Sequence, residues 1–115
     1  MMINEVKLDN LLIELGHDDF TRGTEYLREA VRQYAPGLGL TKVIYPAIAA
    51  ANGSTWQKVE RCMRHSIEKA WTRCGDAEVQ ARYFGNSVDP ESCRPQVGEY
   101  IARLARLCRA TEGDT

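Results

Sequence analysis

The sequence lacks several patterns that mark common protein classes. Its four cysteines form no CxxC pair, so the spacing that supports a zinc site is missing. No apolar run approaches the roughly 20 residues that cross a bilayer, and the N-terminus has no apolar block of the signal-peptide kind. We therefore expect a cytoplasmic protein with free thiols, without a cofactor and without a membrane partner.

Signatures of catalysis are also scarce. The chain has two histidines, no nucleophile elbow and no glycine-rich phosphate motif. His17 precedes two carboxylates, but a solvated loop is the expected structure there. Cys62 and His65 are three positions apart, a spacing at which two residues on a helix can bind one metal ion. We favour the simpler interpretation, in which Cys62 is a thiol at the core margin and His65 an exposed imidazole. We predict that the protein is not an enzyme.

Apolar residues recur every three or four positions, which is the spacing of an α-helix, and no strand-like alternation of apolar and polar residues occurs. With 115 residues and 43% hydrophobic side chains, the chain is long enough for one modest core. We predict an all-α fold of about six helices, without a winged helix, in a single domain spanning residues 1–115. The predicted helices cover about 8–15, 21–35, 41–51, 54–71, 77–84 and 95–110.

The third helix contains a proline. Thr41 is a candidate cap, and Val43, Ile44 and Ile48 are expected to enter the core. Because Pro46 removes one helical hydrogen bond, we expect a bend or a helix that properly begins near Tyr45. The segment from Ala49 through Gly53 to Val59 then has the spacing of a helix-turn-helix.

The helix over residues 54–71 is the element that the rest of the chain serves. Ser54 and Gln57 fit a capping box at its start. Its packing side should hold Val59, Met63, Ser66, Ile67 and Ala70, with Trp56 and Cys62 at the margins. Residues 56–73 carry five basic and two acidic side chains, although the whole chain has a net charge of −1. A local basic face is sufficient to attract phosphate.

Several segments resemble one family, the C-terminal effector domain of the sporulation initiation factor A response regulator. The likeness spans roughly residues 8–109 in order and includes the segments Leu27–Ala30, Thr41–Pro46, Val59–Arg61, Met63–His65 and Pro95–Ala102. The resemblance implies a six-helix, DNA-binding transcription factor that reads a TGTCGAA-like box, often as two copies on tandem sites. It also implies contact between residues 74–84 and the sigma subunit of RNA polymerase. The sequence contains no phospho-acceptor receiver domain ahead of these residues, so we expect either an excised fragment or a stand-alone relative, and control by phosphorylation is not carried over.

The candidate DNA-binding residues combine those that the resemblance implies with those that the helix start supplies. Arg61 or Arg64 can donate two parallel hydrogen bonds to a guanine, and Glu60 can accept one from a cytosine. The other side chains and the free backbone N–H groups at the helix start suit phosphates. The full candidate set is Ser54, Thr55, Gln57, Lys58, Glu60, Arg61, Arg64, His65 and Lys69.

Two other interpretations of this helix remain open. Glu60–Arg64 and Arg64–Glu68 are favourable i,i+4 pairs that also stabilise an ordinary solvated helix. Alternatively, the same basic helix could serve a protein-interaction module that does not bind DNA.

Overall fold

The computed structural model of the protein describes residues 3–17, 21–85, 88–89 and 93–109. The fold is all-α, as predicted, and the strands in these residues form a single two-residue antiparallel pair, Val88–Asp89 with Arg94–Pro95. Within the same ranges, no helix is both long and apolar enough to cross a membrane. The described residues contain six α-helices, α1 (Glu5–Glu14), α2 (Arg22–Gln33), α3 (Tyr45–Ala51), α4 (Trp56–Cys74), α5 (Ala77–Phe84) and α6 (Val97–Leu107), and a π-helical turn (Leu40–Ile44) precedes α3.

The start of α3 confirms one expectation and corrects two. The helix begins at Tyr45, so that Pro46 falls in its first turn, where a missing N–H costs no helical hydrogen bond. Thr41 is not a cap, because it lies inside the π-helical turn that starts after Gly39. Val43 is 45% exposed while Ile44 is fully buried. The wide π turn changes the angle between successive side chains, and this turns Val43 away from the core.

The buried side of α4 forms the centre of the core. Its buried residues are the five predicted ones, Val59, Met63, Ser66, Ile67 and Ala70. They face α2, α3 and α6, the helices with which α4 makes its main contacts. The helix that was expected to present the functional residues is therefore also the helix around which the others pack.

A glycine sets the distance between α2 and α4. A Cβ atom added at Gly23 would lie 2.4 Å from the carbonyl oxygen of Cys62 and 2.8 Å from the Cβ of Ser66. Carbon atoms in contact are normally about 3.5–4.0 Å apart, so only glycine allows this approach. A second close approach occurs at Gly16, where an added Cβ would lie 2.2 Å from the carbonyl oxygen of Ala70.

His17 lies in a buried polar cluster, so the expectation of a solvated loop is wrong. The residue is 1% exposed, and its Nε2 lies 2.8 Å from the hydroxyl of Tyr100. Its Nδ1 lies 3.2 Å from the Thr24 hydroxyl and 3.3 Å from the Ser66 hydroxyl. These partners come from α2, α4 and α6, and they satisfy both ring nitrogens, which makes the burial tolerable. The two carboxylates that follow His17 lie outside the described residues.

Replacing Gly23 with alanine should destabilise the domain, because the added methyl group meets the backbone of α4. We expect Gly23→Ala to lower the free energy of unfolding by about 1–3 kcal/mol, the usual cost of overpacking, in urea denaturation followed by circular dichroism. Gly39→Ala is the matched control, since its Cβ would lie 3.6 Å from the Lys42 Cβ and should change stability by less than about 0.5 kcal/mol. Equal stability of the two variants would refute the close-approach argument.

Candidate nucleic-acid interface

Helices α3 and α4 form a helix-turn-helix. Ala49 is 4% exposed and Val59 is fully buried where the two helices meet. Gly53 has a φ of +61°, a left-handed conformation that favours glycine. The backbone N–H of Ser54 donates to the Ala49 carbonyl at 2.9 Å, and the side-chain amide of Asn52 donates to the Ile48 carbonyl at 2.7 Å. The turn is therefore closed by its own hydrogen bonds, and it fixes where α4 begins.

The start of α4 differs from the predicted capping box. Thr55 is the cap, and its hydroxyl accepts from the backbone N–H of Lys58 at 3.3 Å. Ser54 takes part in the preceding turn instead, so the helix begins at Trp56, and it continues to Cys74 rather than ending at Trp71. The prediction missed this shift because Ser54 and Thr55 are both good capping residues, and only the geometry of the turn selects between them.

The structure brings the nine candidate residues together on the turn and the outward side of α4. Ser54, Glu60 and Arg64 are half-buried. The side chain of Arg61 has no hydrogen bond or ion pair in the described part of the chain, and the same holds for the side chains of Lys58 and Lys69. The exposed members are Thr55, Gln57, Lys58, Arg61, His65 and Lys69.

Both carboxylates of α4 are bound by arginines. Glu60 accepts from Arg64 at 2.5 Å, as the i,i+4 spacing predicted. Glu68 does not pair with Arg64. It accepts instead from Arg94 at 2.6 Å. Because each negative charge on α4 has an adjacent positive partner, the exposed cations dominate the field at its outward face.

Two residues outside α4 lie next to its carboxylates, and the sequence did not predict either of these contacts. Arg94 comes from the strand before α6, 26 positions after Glu68, and no local pattern signals a pair at that separation. Tyr45, at the start of α3, is 4% exposed. Burial, together with the negative charge of Glu60, raises the pKa of Tyr45 to about 12. The phenol therefore stays neutral near Glu60 at ordinary pH.

These features define a class of protein, the helix-turn-helix domains that present a cationic helix to DNA. A comparison with protein families identifies the particular one. The model of the family described as "Sporulation initiation factor Spo0A C terminal" matches residues 8–107. The chain belongs to this family and is a DNA-binding effector domain of a sporulation regulator.

The corrected cap can be tested by stability alone, without DNA. We expect Thr55→Ala to lower the free energy of unfolding by about 1 kcal/mol, because the N–H of Lys58 loses its acceptor. Ser54→Ala is the control and should change it by less than about 0.5 kcal/mol, because the bond of Ser54 in the turn is made by its backbone. The opposite order of the two variants in urea denaturation would restore the capping box at Ser54.

Proposed function

We propose that the domain regulates transcription by sequence-specific binding, with α4 lying in the major groove of a TGTCGAA-like box. The observation that carries this proposal is the set of exposed cations, Lys58, Arg61 and Lys69, on the outward side of a helix whose opposite side is fixed in the core. Their side chains have no ion pair in the described residues. The major groove admits one α-helix, and its base edges present a distinct pattern of donors and acceptors. A rigidly held cationic helix suits that groove.

Arg61 is assigned to a guanine. Its side chain is exposed. Because an α-helix turns by about 100° per residue, Arg61 lies on the side of α4 opposite the buried residues. Because no carboxylate holds it within the described residues, the guanidinium can donate two parallel hydrogen bonds to guanine O6 and N7. Such a bidentate contact is worth about 1–3 kcal/mol of discrimination.

Glu60 and Arg64 are assigned to adjacent bases as a coupled pair. One carboxylate oxygen of Glu60 binds one terminal nitrogen of Arg64. The other carboxylate oxygen can accept from a cytosine amino group, and the remaining N–H groups of Arg64 can donate to a guanine. Their ion pair limits the positions of both side chains, which lowers the entropy lost when they bind.

The other candidate residues are assigned mainly to the sugar-phosphate backbone. Lys58, His65 and Lys69 are exposed and can reach phosphates on either side of the groove. Ser54 and Thr55 lie at the start of α4, where unpaired N–H groups attract anions. Gln57, in the first turn, can donate to a phosphate or to a base edge. These contacts set affinity and register, whereas the arginines set sequence preference.

Two protein partners belong to the same proposal. The family resemblance assigns residues 74–84 to the sigma subunit of RNA polymerase. Helix α5 supports that assignment because Ala77, Glu78, Ala81 and Arg82 form an exposed surface that no assigned DNA contact uses. A second copy of the domain on a tandem box is the other proposed partner.

Substitutions should separate base reading from phosphate binding. We expect Arg61→Ala and Arg64→Ala to lose the preference for the box over scrambled duplex, a loss of about 1–3 kcal/mol for each arginine. Lys58→Ala should weaken binding to every duplex alike and flatten the dependence of log K on log salt by about one unit. Fluorescence anisotropy with both duplexes at several salt concentrations measures these effects.

The same titrations contain their control. All variants should keep the helical circular dichroism of the wild type, because the altered side chains lie outside the core. Equal losses on box and scrambled DNA for all three variants would contradict the assigned roles. The wild-type domain can also be used to select duplexes from a random pool. If it shows no preference for any selected duplex, the alternative function, a protein-interaction module, is favoured.

A further inference from the structure

The first residue of α4 is an exposed tryptophan. Trp56 is 37% exposed, and in the described part of the chain its ring has no hydrogen bond or aromatic contact. The other tryptophan differs, because Trp71 packs against the core with its ring centroid 5.5 Å from that of Phe84. Trp71 therefore has a structural role, whereas 37% of the surface of Trp56 stays accessible to a partner outside the described fold.

The position of Trp56 places this indole where the proposed interface begins. Recognition helices contact base edges with their N-terminal residues, and Trp56 directly follows the capping residue of α4. It lies one turn before Glu60, and its exposed neighbours Thr55 and Gln57 are polar. The N-terminal turn of the helix thus presents one large apolar surface among hydrogen-bonding groups.

The chemistry of the major groove indicates what that surface can recognise. Paired bases are stacked, so an inserted side chain meets only their edges, and the apolar group on those edges is the C5-methyl of thymine. We propose that Trp56 determines specificity for a thymine by packing its indole against that methyl group. This inference rests on the proposed function, since it requires that α4 enter the major groove.

Replacing thymine with deoxyuridine tests the contact, because this removes the methyl group and leaves the hydrogen-bonding pattern unchanged. The probe is the duplex that the wild-type domain selects from a random pool, with each thymine replaced in turn. We expect one replacement to weaken wild-type binding by roughly 3- to 10-fold, the effect of one buried methyl group on an aromatic surface. Trp56→Ala should bind the thymine and deoxyuridine duplexes equally at that position.

Ile13→Ala is the matched control, since Ile13 is an exposed apolar residue, 51% exposed, on α1 outside the proposed interface. This variant should keep the wild-type ratio of affinities for the two duplexes. Equal wild-type affinity at every replaced thymine overturns the assignment, as does an undiminished ratio in Trp56→Ala. If the wild type still prefers its selected duplex in that case, the proposed function stands and the role of Trp56 alone fails. If it shows no such preference, both fail.

Discussion

The close contact between α2 and α4 is the constraint on which the rest of the structure depends. Gly23 lets the two backbones approach until an added Cβ would lie 2.4 Å from the Cys62 carbonyl oxygen. At that separation the Thr24 and Ser66 hydroxyls come within 2.8 Å and both reach the ring of His17. Tyr100 of α6 closes the cluster at the second ring nitrogen. Buried polar groups that satisfy one another in this way define a single arrangement of the helices. The contacts on the buried side of α4 therefore fix its orientation.

The charges are distributed in accord with this arrangement. In the first two helices, Arg28 pairs with Asp9 at 2.9 Å and Arg32 pairs with Glu5 at 2.8 Å, which joins α1 to α2. On α4 the two carboxylates are likewise held by arginines, one of them Arg94 from another element. Exposed pairs of this kind contribute little to stability. Their larger effect is electrostatic, because they leave the outward cations of α4 without nearby uncompensated negative charge, although the whole chain has a net charge of −1.

Local patterns in the sequence predicted the helices and the buried stripe of α4, and they failed where the answer depends on distant partners. Val59, Met63 and Ile67 follow a period that their own spacing reveals. His17 appeared solvated because its hydrogen-bond partners are 7, 49 and 83 positions away. The candidate site shows the same division. The cationic face of α4 and the Glu60–Arg64 pair are local, whereas Arg94 joins Glu68 only through the folded chain.

One rigid helix carries both the packing residues and the candidate reading residues, and this has a mechanical consequence. Arg61 lies between Val59 and Met63, which are fully buried, so the backbone of Arg61 is held as firmly as the core itself. A side chain that must meet a base edge within a fraction of an ångström benefits from such support more than one carried on a loop. Substitution of the exposed side chains, by contrast, changes the stability of the fold little. Under the proposed function, sequence preference can therefore change through substitutions on the outward side of α4 while the buried side keeps the helix in place.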